Sequence, residues 1–290
     1  MDVTIVCVPF QMDVARWGYA LGPQAFLGAG LIQRIEAQGH TVREPIWIDL
    51  PMAERTRDIV TNLGRIAQRT SDAVSAGLAR NDSFVLVLEG DCTHAVGAIG
   101  GLARAQRESP GVAWFDAHGD LHTMATTTSG YVGGMPYAVA LGWEFDDWRA
   151  AAGLDAPVRA AAAALIGASD LDEAEIVALE RSPIARLDAD QLLETGAAVR
   201  VAELLRQRAA EASSWYLHLD IDVAGPETAP GGMTPAPHWP PRQHLIDSVG
   251  AAAHTLPVRV AAIATYNPAG DPAGKGASFG IDAAAAILAR

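Results

Sequence analysis

Residues that commonly bind metal ions alternate at two places in the chain. Asp116, His118 and Asp120 occupy every second position of "DAHGD", directly after the apolar run "GVAWF", and Asp220 and Asp222 follow "SWYLHL" as "DID". On an extended or gently turning backbone, alternate side chains point to one side, so each motif can converge on a common centre. Four carboxylates and one imidazole are too much negative charge to cluster without cations. Carboxylates with some imidazole are typical ligands of manganese or iron, whereas zinc sites are often rich in thiolates, so the motifs favour two manganese or iron ions.

A third polar cluster, "EGDCTH", follows the apolar run "FVLVL". Aspartate is also favoured at strand ends and helix N-caps, where its role is structural, and each cluster taken alone has this second interpretation. Ligands of open parallel sheets bind at the carboxyl ends of the strands. Three clusters that each follow a strand therefore favour one shared metal site over three independent caps.

Short apolar runs alternate with helical patterns over the 290 residues. The strands read as continuous apolar runs, which is typical of a parallel sheet covered on both faces. We predict one domain, residues 1–290, with the α/β fold class: a three-layer αβα sandwich with a mostly parallel sheet of about eight strands. The predicted strands are residues 3–10, 41–48, 84–90, 111–116, 163–169, 183–188, 214–222 and 258–266, and the clearest helices are 22–40, 53–80, 197–212 and 240–256.

Charge and composition exclude several classes of partner. The 34 acidic and 21 basic residues give a net charge of −13, which repels nucleic acid and anionic membranes. No apolar run is long enough to span a bilayer, and the N-terminus lacks the features of a signal peptide. With only two cysteines there is no disulfide framework. We therefore expect a cytoplasmic protein that acts on a small-molecule substrate.

The same motifs resemble those of the arginase–agmatinase ureohydrolases. "DAHGD" matches the family's Asp-Ala-His-x-Asp, "HLDIDVAGPETAPG" resembles its Ser-x-Asp-x-Asp…Ala-Pro-Gly, and "EGDCTH" looks like a variant of Gly-Gly-Asp-His-Ser. The segments "GPQAFLGAGLIQRI" and "YNPAGDPAG" extend the resemblance over nearly the whole chain. It implies an αβα sandwich with a dimanganese centre. Because family members often form trimers or hexamers, it also allows a homo-oligomer.

The resemblance implies a role for each residue of the two alternating motifs. Asp116 and Asp220 would bridge two Mn²⁺ ions, His118 and Asp222 would complete one site, and Asp120 would help to hold the other. A hydroxide that bridges two divalent metals would attack the carbon of a C–N bond in a guanidino, amidino, ureido or amide compound. Asp120 would carry the proton to the leaving nitrogen.

Cys92 is the first departure from the family pattern, because it stands where a metal-binding histidine is usual. As a ligand, its thiolate would shift the preference of the site toward Fe²⁺ or Zn²⁺. Alternatively, Cys92 is a small buried apolar residue and the site has one ligand fewer, or His94 replaces it. His218, two residues before Asp220, is predicted to point into the helix layer.

Further departures affect substrate recognition. The resemblance puts Gly133 at the position of a proton-shuttling histidine, and Thr265 replaces the glutamate that pairs with a guanidinium group. His122 and Tyr131 stand where arginases carry substrate-binding asparagines. A cationic guanidinium would lose its charge-assisted partner at Thr265, so the substrate is predicted not to be arginine. His122 either substitutes as the catalytic proton shuttle, together with Asp120, or only packs in the pocket wall.

The predicted substrate contacts are Ser129, Tyr131, Thr265 and His238. His238 belongs to the loop over residues 230–240, which is expected to cover the mouth of the pocket, with Trp239 as a further contact. Tyr131 or Tyr266 could polarise a carbonyl of the substrate. The alternative to a hydrolase is a catalytically silent relative that keeps the fold for binding or regulation.

Overall fold

The central sheet provides the frame on which the candidate site is built. The computed structural model describes residues 1–80, 82–234 and 236–289. Within these ranges, nine strands form one parallel sheet and two form a short antiparallel hairpin. The sheet strands are β1 (Asp2–Val8), β4 (Thr41–Val42), β5 (Ile46–Trp47), β6 (Ser83–Glu89), β7 (Gly111–Phe115), β8 (Ala163–Ala168), β9 (Ala185–Asp188), β10 (Trp215–Asp220) and β11 (Val258–Ala264), and the hairpin is β2 (Phe10–Gln11) with β3 (Val14–Ala15).

Helices cover both faces of the sheet. They are α1 (Gly22–Gly28), α2 (Leu31–Glu36), α3 (Ile59–Leu78), α4 (Ala95–Gln106), α5 (Pro136–Ala140), α6 (Asp146–Ala151), α7 (Glu173–Glu180), α8 (Ala189–Leu193), α9 (Ala197–Arg206), α10 (Arg242–Thr255) and α11 (Lys275–Leu288). One apolar core joins the sheet to α1, α2 and α8–α11, and the other joins it to α3–α5 and α7, with α6 packed outside α3. The predicted three-layer αβα sandwich is confirmed.

Two local predictions differ from the structure for simple backbone reasons. The helix predicted over 22–40 is divided into α1 and α2, because Gly30 adopts a left-handed conformation with φ of 94°. The strand predicted over 41–48 is divided into β4 and β5, with Pro45 between them, since proline has no N–H to donate to a ladder. Among the described helices, none has both the length and the apolar character needed to cross a membrane.

The order of the strands brings distant segments to one edge of the sheet. The spatial order is β4-β1-β6-β11-β10-β7-β8-β9, so β6, β11, β10 and β7 are consecutive neighbours. The carboxyl ends of these four strands lead to Cys92, Thr265, Asp220 and Asp116, respectively. The pairing of Leu219 with Phe115 aligns the ends of β10 and β7. Residues up to 173 positions apart in sequence are thereby placed side by side.

A candidate metal centre at the carboxyl edge of the sheet

Two groups of side chains, each compact enough to surround one ion, meet at this edge. Within each group the ligand atoms lie within 4.8 Å of one another: Cys92, Asp116, His218 and Asp220 form the first group, and Asp116, His118 and Asp222 form the second. Asp116 belongs to both groups, so the two are adjacent. The structure therefore brings together five of the six side chains predicted as metal ligands, and it adds His218.

Tight turns, rather than strand alternation, aim the carboxylates. After β7, Asp116 Oδ1 accepts a hydrogen bond of 2.8 Å from the backbone N–H of His118, and Trp114 Nε1 donates to Asp116 Oδ2 at 3.0 Å. After β10, Asp220 Oδ1 accepts one of 2.8 Å from the N–H of Asp222. These bonds fix each carboxylate against its own backbone, which is the usual behaviour of aspartate in a turn.

Asp120 stands apart from both compact groups but faces the same cavity. It is buried, its backbone is left-handed with φ of 51°, and its Oδ2 atom has no hydrogen-bond partner among the described residues. Oδ1 of Asp222 is likewise buried and has no hydrogen-bond partner in the described part of the chain. Buried carboxylate oxygens normally have partners, so these atoms fit the surroundings of cations.

His218 points into the sheet–helix interface, as predicted, but it also reaches the candidate centre. Its ring stacks on Trp114 with the ring centres 3.8 Å apart, its Nδ1 atom lies 2.8 Å from the hydroxyl of Tyr216, and its Nε2 atom lies 3.2 Å from Sγ of Cys92. The sequence held a signal for this placement. Residues 218 and 220 are two apart on one strand, so their side chains share a face.

Because the carboxylates of the candidate centre are buried, they favour binding of positive charge, either as protons or as cations. Burial raises the pKa of Asp120, Asp220 and Asp222 above the usual range, and neighbouring carboxylates raise it further. Burial also raises the pKa of Cys92 well above its ordinary value, and Asp220 adds to this effect. Burial lowers the pKa of His218 to about 3, so its imidazole is neutral and can act as a ligand.

His118 responds in the opposite direction to His218. Burial opposes protonation of its ring, but the carboxylates of Asp116 and Asp222, 3.3 and 3.4 Å from Nδ1, raise its pKa above the ordinary value. The protein thus takes up protons to balance its carboxylates. Divalent cations would supply the same positive charge and would free the imidazole and thiol as ligands.

The candidate centre opens into a cavity of ≈ 500 Å³. Tyr19, Met233 and Thr234 contribute to its walls, so part of the predicted covering loop does border the cavity. Pro235 of that loop lies outside the described residues. Ser129 also lines the cavity, and its Oγ accepts a hydrogen bond of 3.1 Å from the N–H of Tyr131. The volume suits a small molecule.

Thr265 lies buried at the deep end of the cavity, beside Cys92 and Asp220 of the first group. Its hydroxyl donates to Asp220 Oδ2 at 2.5 Å and lies 3.5 Å from Sγ of Cys92. Its backbone is left-handed, with φ of 68°, which is unusual for a β-branched residue. A hydroxyl, and not a carboxylate, therefore faces the candidate ligands at this position.

Tyr131 fills the space that a side chain at position 133 would use. A Cβ atom placed on Gly133 would overlap the ring of Tyr131 and lie 2.5 Å from its hydroxyl oxygen. Burial raises the pKa of Tyr131, and the charges of Asp91 and Asp120 raise it further, so the phenol stays protonated. The departures at positions 131 and 133 are therefore linked in space, because the side chain of Tyr131 occupies the volume that a side chain at position 133 would need. The sequence alone did not indicate this link.

His122 lines the cavity and lies beside two carboxylates, those of Asp172 and Glu175, which the sequence did not indicate. Its Nε2 atom lies 2.8 Å from Asp172 Oδ2, and its Nδ1 atom lies 3.2 Å from the hydroxyl of Thr126. Asp172 and Glu175 are also engaged in the capping box at the start of α7. That capping explains why these two carboxylates lie together, although both also border the cavity.

Other candidates lie outside the cavity. Nε2 of His94 is 2.8 Å from the carbonyl oxygen of Phe10, which holds this ring away from the candidate ligands. Tyr266 is buried, and its hydroxyl donates to Asp271 at 3.2 Å. The alternative in which His94 replaces Cys92 as a ligand and the alternative in which Tyr266, rather than Tyr131, polarises a substrate carbonyl do not agree with these positions.

His238 also lies elsewhere, in a separate cavity of ≈ 220 Å³ that Arg186 and Asp188 help to line. The cause is the neighbouring Trp239. Its indole packs against the backbone of Gly225, and its Nε1 atom donates to Glu227 at 2.5 Å. These contacts hold residues 238 and 239 away from the central cavity. The predicted contacts of His238 and Trp239 with a substrate in that cavity are therefore wrong.

We expect the melting temperature of the metal-free protein to fall by about 3–6 °C between pH 5 and pH 8. In the folded protein, the pKa values of Asp120, Asp220 and Asp222 lie above the ordinary aspartate value of about 3.9. Their contribution to the free energy of unfolding is therefore fully present below a pH of about 3.9 and is lost as the pH rises through the raised pKa values of the folded state. The raised pKa of His118 acts with the same sign. Excess divalent cation should remove the slope.

Thermal melts in high salt provide the control for this pH effect, because salt screens exposed carboxylates and leaves the buried ones largely unaffected. A melting temperature that rises with pH in the absence of cations would contradict the electrostatic description of the candidate centre.

Known proteins resemble this chain along almost its whole length. A family model described as the arginase family matches residues 1–289. The chain is 32% identical to arginase from Brevibacillus brevis over 243 residues, which are 81% of this chain and 80% of that protein. It resembles the crystal structure of arginase from Bacillus subtilis with a TM-score of 0.89 at 26% identity, covering 100% of this chain and 99% of that one. Formimidoylglutamase from Bacillus subtilis shares the fold, with a TM-score of 0.78 at 17% identity, covering 99% of this chain and 86% of that one. The predicted resemblance is confirmed, and the chain belongs to the arginase family.

Proposed function

We propose that the protein is a dinuclear metal hydrolase that cleaves a C–N bond in a small guanidino, amidino, ureido or amide compound other than arginine. The observation that carries this proposal is the pair of ligand groups that share Asp116 at the floor of a cavity of ≈ 500 Å³. A catalytically silent relative would have no use for a buried cluster of carboxylates, which repel one another when no cation is bound.

The residues present fit two divalent cations. Asp116 would contact both ions, Cys92 and Asp220 would hold the first, and His118 and Asp222 would hold the second. When bound, the cations supply a water of lowered pKa as nucleophile and stabilise negative charge that develops on the substrate. Asp120, whose Oδ2 atom has no hydrogen-bond partner among the described residues, is placed to hold a proton and to pass it to the leaving nitrogen.

The residues at the deep end of the cavity determine whether the cavity favours a charged or a neutral reacting group on the substrate. The names of the relatives make arginine the obvious alternative substrate. In this chain, however, the Thr265 hydroxyl already donates to Asp220, and it offers no negative charge to a guanidinium. A buried cation without a partner costs several kcal/mol, which favours a reacting group that is neutral or only weakly basic. Asp170 and Asp172 also line the cavity, so a separate amine on the substrate would still find carboxylates.

Tyr131 is the group best placed to orient the reacting atom or to deliver a proton in place of the absent side chain at position 133. Its hydroxyl occupies that space and keeps its proton, so it can donate a hydrogen bond to a carbonyl oxygen or a nitrogen of the substrate. His122, the other candidate for a shuttle, is already paired with Asp172. Both side chains are proposed to contact the substrate, together with Ser129.

A Tyr131→Phe variant is expected to lower kcat by about 10²-fold, because the ring is kept and only the donated hydrogen bond or proton is lost. Steady-state kinetics on the best substrate, with metal content measured in parallel, check this prediction. Tyr266→Phe is the matched control, since the hydroxyl of Tyr266 donates to Asp271 outside the cavity. If Tyr131→Phe retains full turnover while His122→Ala loses it, the shuttle is His122.

The proposed function is tested by a substrate panel. Purified protein loaded with Mn²⁺, Zn²⁺ or Fe²⁺ is incubated with neutral amides, ureido compounds, amidines and modified guanidines, alongside arginine and agmatine, and the release of ammonia, amine or urea is measured. We expect release from at least one neutral or weakly basic class and a kcat/KM for arginine at least about 10²-fold lower. No release from any class by fully loaded protein would support the silent relative instead.

A further inference from the structure

We propose that Cys92 and His218 act together as ligands, with Asp116 and Asp220, in a thiolate–imidazole–carboxylate site that selects zinc over manganese. This inference rests on the metal dependence of the proposed function but not on its substrate. It concerns only the first of the two ligand groups.

Two departures from the family pattern meet in space at this site. "EGDCTH" has a cysteine where the pattern Gly-Gly-Asp-His-Ser has histidine, and "HLDID" has a histidine where Ser-x-Asp-x-Asp has serine. The two residues are 126 positions apart in sequence, yet Sγ of Cys92 lies 3.2 Å from Nε2 of His218. His218 would therefore provide, at the same centre, the imidazole that is absent at position 92.

The spacing of the four ligand atoms suits a tetrahedral ion. Sγ of Cys92 lies 2.8 Å from Asp220 Oδ2, and all four ligand atoms lie within 4.8 Å of one another. Ligand atoms around tetrahedral zinc, with Zn–S of about 2.3 Å and Zn–N of about 2.0 Å, are separated by about 3.5 Å. Small adjustments of the side chains therefore suffice. Binding releases the thiol proton to solvent as the sulfur–metal bond forms.

His218 is already oriented as metal-binding histidines usually are. Its Nδ1 atom lies 2.8 Å from the hydroxyl of Tyr216, which in turn donates to Glu89 at 3.4 Å. This leaves Nε2 free to face Cys92. Trp114 stacks on the imidazole and also donates to Asp116, so one indole supports two of the ligands. Such outer contacts fix the tautomer and the direction of a histidine ligand.

The ligand types decide the preference among metals. A soft thiolate with an imidazole favours zinc, whereas manganese favours carboxylate and other oxygen ligands. Most nitrogen and oxygen sites already bind zinc more tightly than manganese, so the informative quantity is the change in the zinc-to-manganese affinity ratio when the sulfur is removed. The second group, with Asp116, His118 and Asp222, contains no sulfur and serves as an internal comparison.

Cobalt(II) provides a spectroscopic test that does not depend on activity. We expect the full-length protein, stripped of metal and reloaded with Co²⁺, to show a near-ultraviolet thiolate-to-cobalt charge-transfer band. The band should be lost in Cys92→Ser and retained in Cys7→Ser, which alters the other buried cysteine. Competition with a chromophoric chelator should show the zinc-to-manganese ratio falling by at least about tenfold in Cys92→Ser, and zinc affinity falling by a similar factor in His218→Phe.

Zinc-edge X-ray absorption of the unaltered protein covers the case in which a buried variant fails to fold. One sulfur neighbour at about 2.3 Å from zinc at the filled site is the expected result. Absence of sulfur from the zinc shell, or an unchanged zinc affinity in folded His218→Phe, would overturn the proposal. A thiolate band without hydrolysis of any substrate would leave this site standing and refute the proposed function. Hydrolysis by a protein that shows no thiolate band would do the reverse.

Discussion

Replacing Asp220 with asparagine is expected to lower kcat/KM by at least about 10³-fold, equivalent to about 4 kcal/mol of transition-state stabilisation. Asp220 ends β10 beside Cys92 and Thr265, and no other carboxylate of the first ligand group comes from this strand. An amide keeps the shape and the hydrogen bond to the N–H of Asp222 but removes the negative charge that would hold the cation. Elemental analysis and kinetics on the same preparation would measure both losses.

The same variant should be the more stable protein when no metal is present. Burial raises the pKa of Asp220, so ionising it at neutral pH costs folding free energy that an amide does not. At pH 8 the metal-free variant is therefore expected to melt a few degrees above the unaltered protein. Asp247→Asn, on the exposed face of α10, is the control for the general effect of removing a negative charge. Full metal content with undiminished activity in Asp220→Asn would contradict the proposed centre.

A Thr265→Glu variant is expected to shift the kcat/KM ratio of cationic guanidines to neutral substrates by about 10–100-fold toward the cations. A charge-assisted hydrogen bond to a guanidinium contributes about 1.5–3 kcal/mol, and the new carboxylate would lie at the deep end of the cavity. The backbone should tolerate the change, because glutamate lacks the β-branch that makes threonine unfavourable at φ of 68°.

Thr265→Gln separates charge from size in this experiment. It has nearly the same length as glutamate and no charge, so its substrate ratio should stay close to that of the unaltered protein. If the unaltered protein hydrolyses arginine as fast as the neutral compounds, the proposed substrate class is wrong, and an ordinary arginase in which another group replaces the glutamate becomes the better interpretation.

The sequence predicted the fold and the location of the candidate centre well, because both depend on local patterns. Continuous apolar runs are what a doubly covered parallel sheet requires, and each of the eight predicted strands overlaps at least one observed strand. The polar clusters after three of these strands were expected at the same edge, because parallel strands present their carboxyl ends there, and the adjacency of β10 and β7 completes the approach. Asp116 and Asp220 are close together for these two reasons.

Features that depend on tertiary packing were not predictable in the same way. The meeting of Cys92 with His218 depends on the order of the strands, which no local pattern encodes. Tyr131 enters the space above Gly133 through the path of an irregular loop. His238 is turned away by the contact between Trp239 and Gly225, a pairing that composition alone could not indicate.

The first measurement should be the metal content of the purified protein, by elemental mass spectrometry, before and after incubation with manganese and with zinc. Two tightly held ions per chain are expected, because Asp116 links two complete ligand groups. One ion or none, despite an excess of both metals, would contradict a dinuclear centre and favour a silent member of the arginase family.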